Sequence, residues 1–310
     1  KLTETIYETI IVGAGIAGCT AAIYAARKRM NYLIIADKFG GQFMESGEVL
    51  NYPGIKETTG VEFSSKMEEQ LKFNKVKVQT DTVLNKIVKK NGNLLLKTSK
   101  GDYLTKSVIL ATGSHPRKLN VTGEDKFQKM GVTYCAICDG PLFTKKDVAV
   151  IGGGDSAMEA IDFMDKIANK LYLVVRGDRL TAHEYLQESV KKNSKVEIIY
   201  NANTTEVFGD KFVTGMKYEV NGETKELAVQ GIFVEIGRVA NTDFAKGLLE
   251  VDDHGHVVVN CSTETSVPGI FAAGDCSSVH EYQYVISAGT ACIALLKAAK
   301  FLARGGQNGR

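Results

Sequence analysis

The chain has 310 residues, long enough for two domains at about 150 residues each, and carries a formal net charge of +2 with 24% charged residues. A near-balanced charge lacks the clustered basic face that nucleic-acid binding demands, and the basic end from Lys297 to Arg310 reads as a solvated helix end and tail. No run approaches the roughly 18 apolar residues of a membrane helix, and the N-terminus lacks a secretory pattern, so a soluble cytoplasmic protein is the expectation.

In chain order, Tyr7 to Val12 reads as a strand leading into Gly13-Ala14-Gly15-Ile16-Ala17-Gly18. A helix of small residues follows to about Lys28, then a strand from Tyr32 to Ala36. The Asn91-Gly92 dipeptide signals a hairpin. Val108 to Gly113 closes this part as a buried strand ending in a glycine turn. The pattern then recurs. Asp147 to Ile151 leads into Gly152-Gly153-Gly154-Asp155-Ser156-Ala157, a helix runs to about Ala168, and Leu171 to Val175 reads as a strand. Asn221-Gly222 marks a second hairpin, and Gly231 to Gly237 closes the copy. Such self-similarity points to an internal duplication. Gly269 to Asp275, a strand ending in Gly-Asp, and a helix from about Ala288 to Arg304 break the symmetry. The economical reading returns them to the first unit, with the second inserted into it.

The expected fold is therefore α/β, with two Rossmann-like dinucleotide-binding domains, each a parallel sheet with an antiparallel hairpin layer. Residues 1–115 and 244–310 form the first domain and 116–243 the second.

A strand followed by G-x-G-x-x-G and a helix cradles a pyrophosphate. The glycines allow a tight turn, close approach of phosphate and close helix packing, and the helix N-terminus faces the anion. Gly13, Gly15 and Gly18 satisfy this in context. Asp37 lies 19 residues past Gly18, where a carboxylate can bind a ribose hydroxyl; a turn aspartate is the bland alternative. Gly152, Gly154 and Ala157 make the second loop. No acid ends its second strand; Arg176 and Arg179 stand there with Asp178 between them. Arginine there suits a 2′-phosphate, but two solvated loop arginines read almost equally well. Two such sites need not bind the same molecule: a flavin in one can take a hydride from a nicotinamide in the other.

Of six cysteines, only Cys135 and Cys138 form a close pair. In a reducing compartment a C-x-x-C pair is more often catalytic or metal-binding than structural. Structural zinc usually needs four ligands, and neither a second C-x-x-C nor an H-x₃₋₅-H exists, so no metal is expected there. A low-pKa thiolate attacks disulfides through a mixed disulfide. Asp139 can exchange a proton with the leaving thiolate or merely cap a turn.

Together these features resemble the low-molecular-weight thioredoxin reductases, flavin-dependent members of the pyridine nucleotide-disulfide oxidoreductases, over nearly the whole chain. Cys135 to Gly140 matches the family's Cys-Ala-Thr-Cys-Asp-Gly with Ile137 in place of Thr. Gly40-Gly41-Gln42, Asn51-Tyr52-Pro53-Gly54, Ala111-Thr112-Gly113 and Ala273-Gly274-Asp275 with Gln283 match flavin-side segments. The resemblance implies a homodimer whose domains swivel. It places FAD against Gly13, Gly15, Ala17, Gly18, Asp37, Lys38, Gly41, Gln42, Asn51, Val83, Ala111, Thr112, Gly113, Gly274, Asp275, Gln283 and Tyr284. NAD(P)H would lie against Gly152, Gly154, Asp155, Ser156, Ala157 and Arg176. Cys138 would lie nearest the flavin, Cys135 would attack a thioredoxin-like protein, and Asp139 would supply the proton.

Two departures matter. NADPH-using members carry His-Arg-Arg after the second strand of the inserted domain, where this chain has Val175-Arg176-Gly177; and Tyr282 replaces the arginine before Gln283. Both remove cations, and a charge-assisted phosphate contact is worth a few kcal/mol (~2). Weak NADPH use, NADH use, or another donor such as a reduced deazaflavin is expected. Rival functions are a ferredoxin/flavodoxin–NADP reductase, a small-molecule dithiol oxidase and a non-enzymatic redox sensor. His254-Gly255-His256 reads as a turn rather than a pair of metal ligands, His280 as a loop residue, and Cys19 and Cys276 as core residues, so no metal site is expected.

Overall fold

The structure, a computed structural model, describes residues 2–45 and 48–306; the side chains of residues 2–4, 45, 48 and 138 lie outside that description. The chain divides into two compact units, residues 1–115 with 239–310, and residues 116–238.

The first unit is built on the long strand Leu2–Ala14. Its apolar run is continuous because both faces are covered, as parallel sheets require. Period-two alternation then sorts the side chains. Ile11 enters one core with Ile34 and Ile109, while Ile10 and Val12 enter a second with Ile35, Val108 and Leu110; Ala14 joins the first because the register shifts between Val12 and Ala14. The sheet runs in the order Val78–Gln79, Tyr32–Phe39, Leu2–Ala14, Gly101–Leu110, Asn93–Thr98, Leu84–Lys90. The first four strands pair in parallel. The last two form a hairpin continuing the same sheet through Gly101–Leu110. Asn91 and Gly92 take φ of 49° and 76° at its turn, the double left-handed geometry that two-residue hairpins favour. Ile270–Ala272 pairs in parallel with Val108–Leu110.

The helix Ile16–Arg27 packs against Tyr284–Ala303. Ala21, Ala22 and Ala25 meet the same core as Ala291, Ala294 and Ala298, and small residues let the two backbones approach. Tyr284–Ala303 is also long and apolar enough, by length and composition, to cross a membrane. That qualifies the expectation that no such stretch exists: Ser287, Gly289, Thr290 and two lysines interrupt the apolar run, but the mean hydropathy of the helix stays high enough. Its buried face, 33% of that stretch, belongs to the core just described.

The second unit has a five-stranded sheet in the order Val132–Thr133, Gly231–Val234, Asp147–Ile151, Lys170–Val174, Val196–Ile199, all parallel. Val148 and Val150 face the helices Asp155–Asp165 and Glu184–Lys192, whose Met158, Ile161, Leu186 and Val190 share their core. Ala149 and Ile151 face the other way, onto Val213, Met216 and Leu227. These last belong to a separate antiparallel sheet, Asn203–Gly209, Val213–Val220, Glu223–Ala228.

Candidate functional site

In the first glycine loop the fold itself demands two of the three glycines. A Cβ on Gly13, at φ +111°, would lie 2.0 Å from the Ala111 carbonyl oxygen, and one on Gly18 would lie 1.8 Å from that of Gly13. Gly15 is different. A Cβ there would find its nearest neighbour, the Gly40 carbonyl oxygen, only at 3.9 Å. Gly15 is also the N-cap of Ile16–Arg27 and offers no side-chain cap. The protein does not need glycine at this point, but a phosphate approaching the helix N-terminus does. Gly41, at φ +55°, closes the other side, with a virtual Cβ 3.4 Å from the Gly15 Cα.

The remaining flavin candidates gather at the ends of the parallel strands beside this loop, where open α/β sheets bind ligands. The strand holding Asp37 and Lys38 runs on to Phe39, three residues beyond the expected Ala36, and both side chains are exposed. The Asp81 and Thr82 N–H groups donate to the carbonyls of Asp37 and Ala36 at 2.9 Å, which brings Val83 to the same corner. Gln42 Nε2 donates to Asp275 Oδ2 (3.1 Å) and to the carbonyl of Ser114 (3.0 Å), and the Ser114 hydroxyl donates to the same carboxylate oxygen (3.2 Å). Asn51 Nδ2 donates to Gln283 Oε1 at 3.1 Å. The Thr112 hydroxyl donates to the Asn241 carbonyl, and Asn241 Nδ2 returns a bond to the Thr112 carbonyl, which fixes the turn through Gly113. Gly274 donates its N–H to Thr290 Oγ1, and the Tyr284 ring lies 5.8 Å from Phe63. Segments more than 230 positions apart in sequence thus meet in one polar corner. Ser114 and Asn241 belong to it and carried no motif that could have marked them.

The second loop repeats the logic. A Cβ on Gly152 would lie 2.2 Å from the Glu235 carbonyl oxygen, whereas one on Gly154 would meet only Thr181 Oγ1 at 3.9 Å. Ala157 is fully buried, as a position that only needs a small side chain should be. Asp155 and Ser156 open the following helix. The Asp155 carboxylate takes the His183 backbone N–H at 2.7 Å and faces His183 Nδ1 at 2.5 Å. That backbone donor, with the imidazole, holds Asp155 below the usual carboxylate range. Arg176, Asp178 and Arg179 are all exposed just past the strand end.

Cys135 follows the edge strand Val132–Thr133, and its Sγ is in a disulfide. Cys19, Cys261, Cys276 and Cys292 are free thiols. Cys138 lies on the single helical turn Ala136–Asp139, with its side chain outside the described residues. The turn is tied from two sides. The Thr133 hydroxyl donates to Asp139 Oδ2 and accepts the Cys135 N–H at 3.3 Å. Asp139 returns its own N–H to the Cys135 carbonyl at 3.2 Å. Glu235, at the end of Gly231–Val234, takes the Ala136 N–H, and burial pushes its carboxyl up to about 7. Motif reading singled out neither residue: Thr133 lies outside the Cys-Ala-Ile-Cys-Asp-Gly motif, and Glu235 reaches the turn from a strand about a hundred positions away.

The pyridine nucleotide-disulphide oxidoreductase family matches residues 7–292. The chain is 41% identical over 301 residues to an alkyl hydroperoxide reductase subunit of Staphylococcus aureus (strain MSSA476), covering 96% of this chain and 59% of that protein. It therefore spans about three-fifths of the length of the curated relatives it matches. Among solved structures, Lactococcus lactis thioredoxin reductase (FR conformation) superposes with a TM-score of 0.83 at 34% identity, over 96% of this chain and 99% of that one. T. acidophilum thioredoxin reductase gives 0.81 at 32% identity, over 97% and 100%. With two glycine loops, a disulfide-bonded cysteine turn and a match along almost its whole length, this chain belongs to the pyridine nucleotide-disulphide oxidoreductase family.

Proposed function

We propose that this chain is a FAD-dependent disulfide reductase that passes electrons through Cys135 and Cys138 to a thioredoxin-like protein. The observation that carries the reading is the disulfide-bonded Cys135 in a C-x-x-C turn of a unit that has its own dinucleotide loop. FAD, held by the Gly13–Gly18 loop and the Gln42–Asp275 corner, supplies a two-electron carrier between a hydride donor and the disulfide. The Gly15 space and the uncapped helix start suit a pyrophosphate.

The chain's own chemistry follows from thiol exchange. Two electrons and a proton convert the Cys135–Cys138 disulfide to a thiol and a thiolate. The Cys135 thiolate attacks one sulfur of the acceptor disulfide, forming a mixed disulfide, and the other acceptor sulfur leaves as a thiolate. Asp139, held by Thr133, supplies the proton to a leaving thiolate. Cys138 then attacks Cys135 Sγ, restoring the internal disulfide and freeing the second acceptor thiol.

The similarity to an alkyl hydroperoxide reductase supports a second reading of the acceptor, in which a partner in hydroperoxide reduction takes the electrons. A homodimer is proposed too. Val285, Ile293 and Leu296 on Tyr284–Ala303, with Tyr24, stay 37–46% exposed and form an apolar surface suited to a second copy.

The test is anaerobic. Flavin reduction is followed with a panel of hydride donors, then thiol release from thioredoxin-like proteins. Cys135→Ser should keep flavin reduction and abolish thiol release. Full activity of the double variant Cys135→Ser, Cys138→Ser would point instead to a ferredoxin/flavodoxin–NADP reductase.

A further inference from the structure

Three of the chain's five histidines gather around one carboxylate in the first unit. Asp252 opens a turn in which Gly255 donates its N–H to the Asp252 carbonyl. Asp252 Oδ1 accepts the N–H groups of His254 and His256, both at 2.9 Å. Val257 pairs with Ser277, and the Ser278 N–H donates to the Val257 carbonyl. This brings the segment leading to Gln283 alongside, and with it His280. The His256 and His280 ring centroids are 4.6 Å apart.

The hydrogen bonding leaves one oxygen over. Asp252 Oδ2 is buried and has no hydrogen-bond partner, although His280 Nε2 lies 3.0 Å away. The two atoms are close but not aligned as donor and acceptor. A buried orphan oxygen is costly unless something else satisfies it. Two donor atoms on one zinc ion, each at about 2.0–2.2 Å, stand about 3.3 Å apart in tetrahedral geometry, close to the separation seen here. His256 supplies a third position. Its ring is buried, Nδ1 faces Asp252 Oδ1 at 3.4 Å, and Nε2 is paired with Tyr282 Oη at 2.8 Å. A ligating imidazole characteristically gives its other N–H to such a partner, which fixes the ring. Ligand atoms of Asp252, His256 and His280 all lie within 4.8 Å of one another.

We propose that Asp252, His256 and His280 form a binding site for a divalent transition-metal ion of the zinc type. Two imidazoles and one carboxylate select such ions over magnesium and calcium, which take oxygen ligands. The exposed imidazole of His254, its ring centroid 6.3 Å from that of His280, or a water completes the set. A bound ion would pin the Asp252–His256 turn to the segment preceding Gln283. This site uses residues of the first unit and none of the cysteine turn, and it stands whether or not the proposed activity does.

The experiment uses the full chain with its flavin and its disulfide oxidised, so that the cysteine pair offers no thiolate. Zinc is titrated by calorimetry into the wild type, His280→Ala and Asp252→Asn. One zinc per chain is expected, with affinity lowered at least about tenfold in either variant. Tyr282→Phe should lower it less. At a zinc concentration near the wild-type Kd the thermal midpoint should rise more in the wild type than in His280→Ala or Asp252→Asn, while equal midpoints in chelator confirm that Asp252→Asn, which keeps the side-chain shape, is folded. Cobalt should give the weak visible bands of nitrogen and oxygen ligands. No saturable zinc binding, unchanged binding in both variants, or a cobalt–thiolate charge-transfer band that places the ion on a free cysteine would each overturn the proposal.

Discussion

The Glu235 carboxylate accepts the backbone N–H of Ala136, the residue directly after Cys135. Burial is the main influence on this carboxyl; the Ala136 N–H and the Arg238 charge oppose it, and Glu159 adds to it. The balance lifts it from an ordinary 4.5 to about 7, so below neutral pH the cysteine turn packs against an uncharged acid.

A carboxyl with a raised folded-state pKa contributes stability that is fully present below pH 4.5 and lost as pH rises through about 7. The rise is worth about 3 kcal/mol at most. Glu235→Gln keeps an acceptor for Ala136 and removes the titration. The variant should match the wild type near pH 4.5 and be more heat-stable at pH 8, by several degrees. Thermal midpoints across pH check this; a constant difference between the two proteins would show that Glu235 does not titrate as argued.

The glycine loop offers a sharper contrast. Gly18→Ala drives a methyl into the Gly13 carbonyl, so it should destabilise the fold by about 1–3 kcal/mol. Gly15→Ala meets nothing closer than 3.9 Å at a φ of −77°, so its stability should change by no more than about 1 kcal/mol. That methyl would nonetheless fill the space left for a phosphate. Purified Gly15→Ala should be folded and pale, with flavin affinity lowered at least about tenfold. A fully yellow Gly15→Ala protein would remove the argument that this glycine serves a ligand.

How far the sequence carries depends on the range of the interaction. The glycine loops, the Asn-Gly turns and the sheet strands were legible because each obeys a local rule: a tight turn, a left-handed pair, an apolar run. The two Rossmann-like units followed from the repetition of those rules, and the insertion of one in the other from the strand and helix after Gly269 that break it. That Gln42 and Asp275 would meet could be read only through resemblance, since they touch across 233 positions. Thr133, Glu235 and Ser114 stayed hidden because no local pattern separates a strand-end residue from one beside a reactive group. His254-Gly255-His256 did read as a turn, which it is, but nothing in the spacing announced that His280 would arrive beside it.

The charges beside the second glycine loop bear on the choice of donor. Arg176 and Arg179 are exposed, with Asp178 between them, so a 2′-phosphate would meet a partly cancelled charge in high dielectric. Each exposed ion pair is worth about 0.2–1 kcal/mol, too little to discriminate strongly in favour of a phosphorylated donor. Anaerobic absorbance should show the flavin largely unreduced at micromolar NADPH. Prompt bleaching under those conditions would mean that other residues supply the missing cation.

Thr133 and Asp139 should separate proton delivery from positioning. Asp139→Asn keeps the shape of the side chain but cannot give up a proton to a thiolate. Disulfide turnover should fall about 10²–10⁴-fold, with flavin affinity and the rate of flavin reduction by the donor unchanged. Thr133→Val removes the hydroxyl that donates to Asp139 and accepts the Cys135 N–H, leaving the acid present but free to rotate. Its loss in turnover should be smaller, about tenfold, from misplacement of a catalytic group. If Thr133→Val and Asp139→Asn were equally impaired, the hydroxyl would be part of the proton path itself. If neither slowed turnover, the proton would have to come from elsewhere, and Glu235, which accepts the Ala136 N–H of the same turn and titrates near neutrality, is the next acid to test.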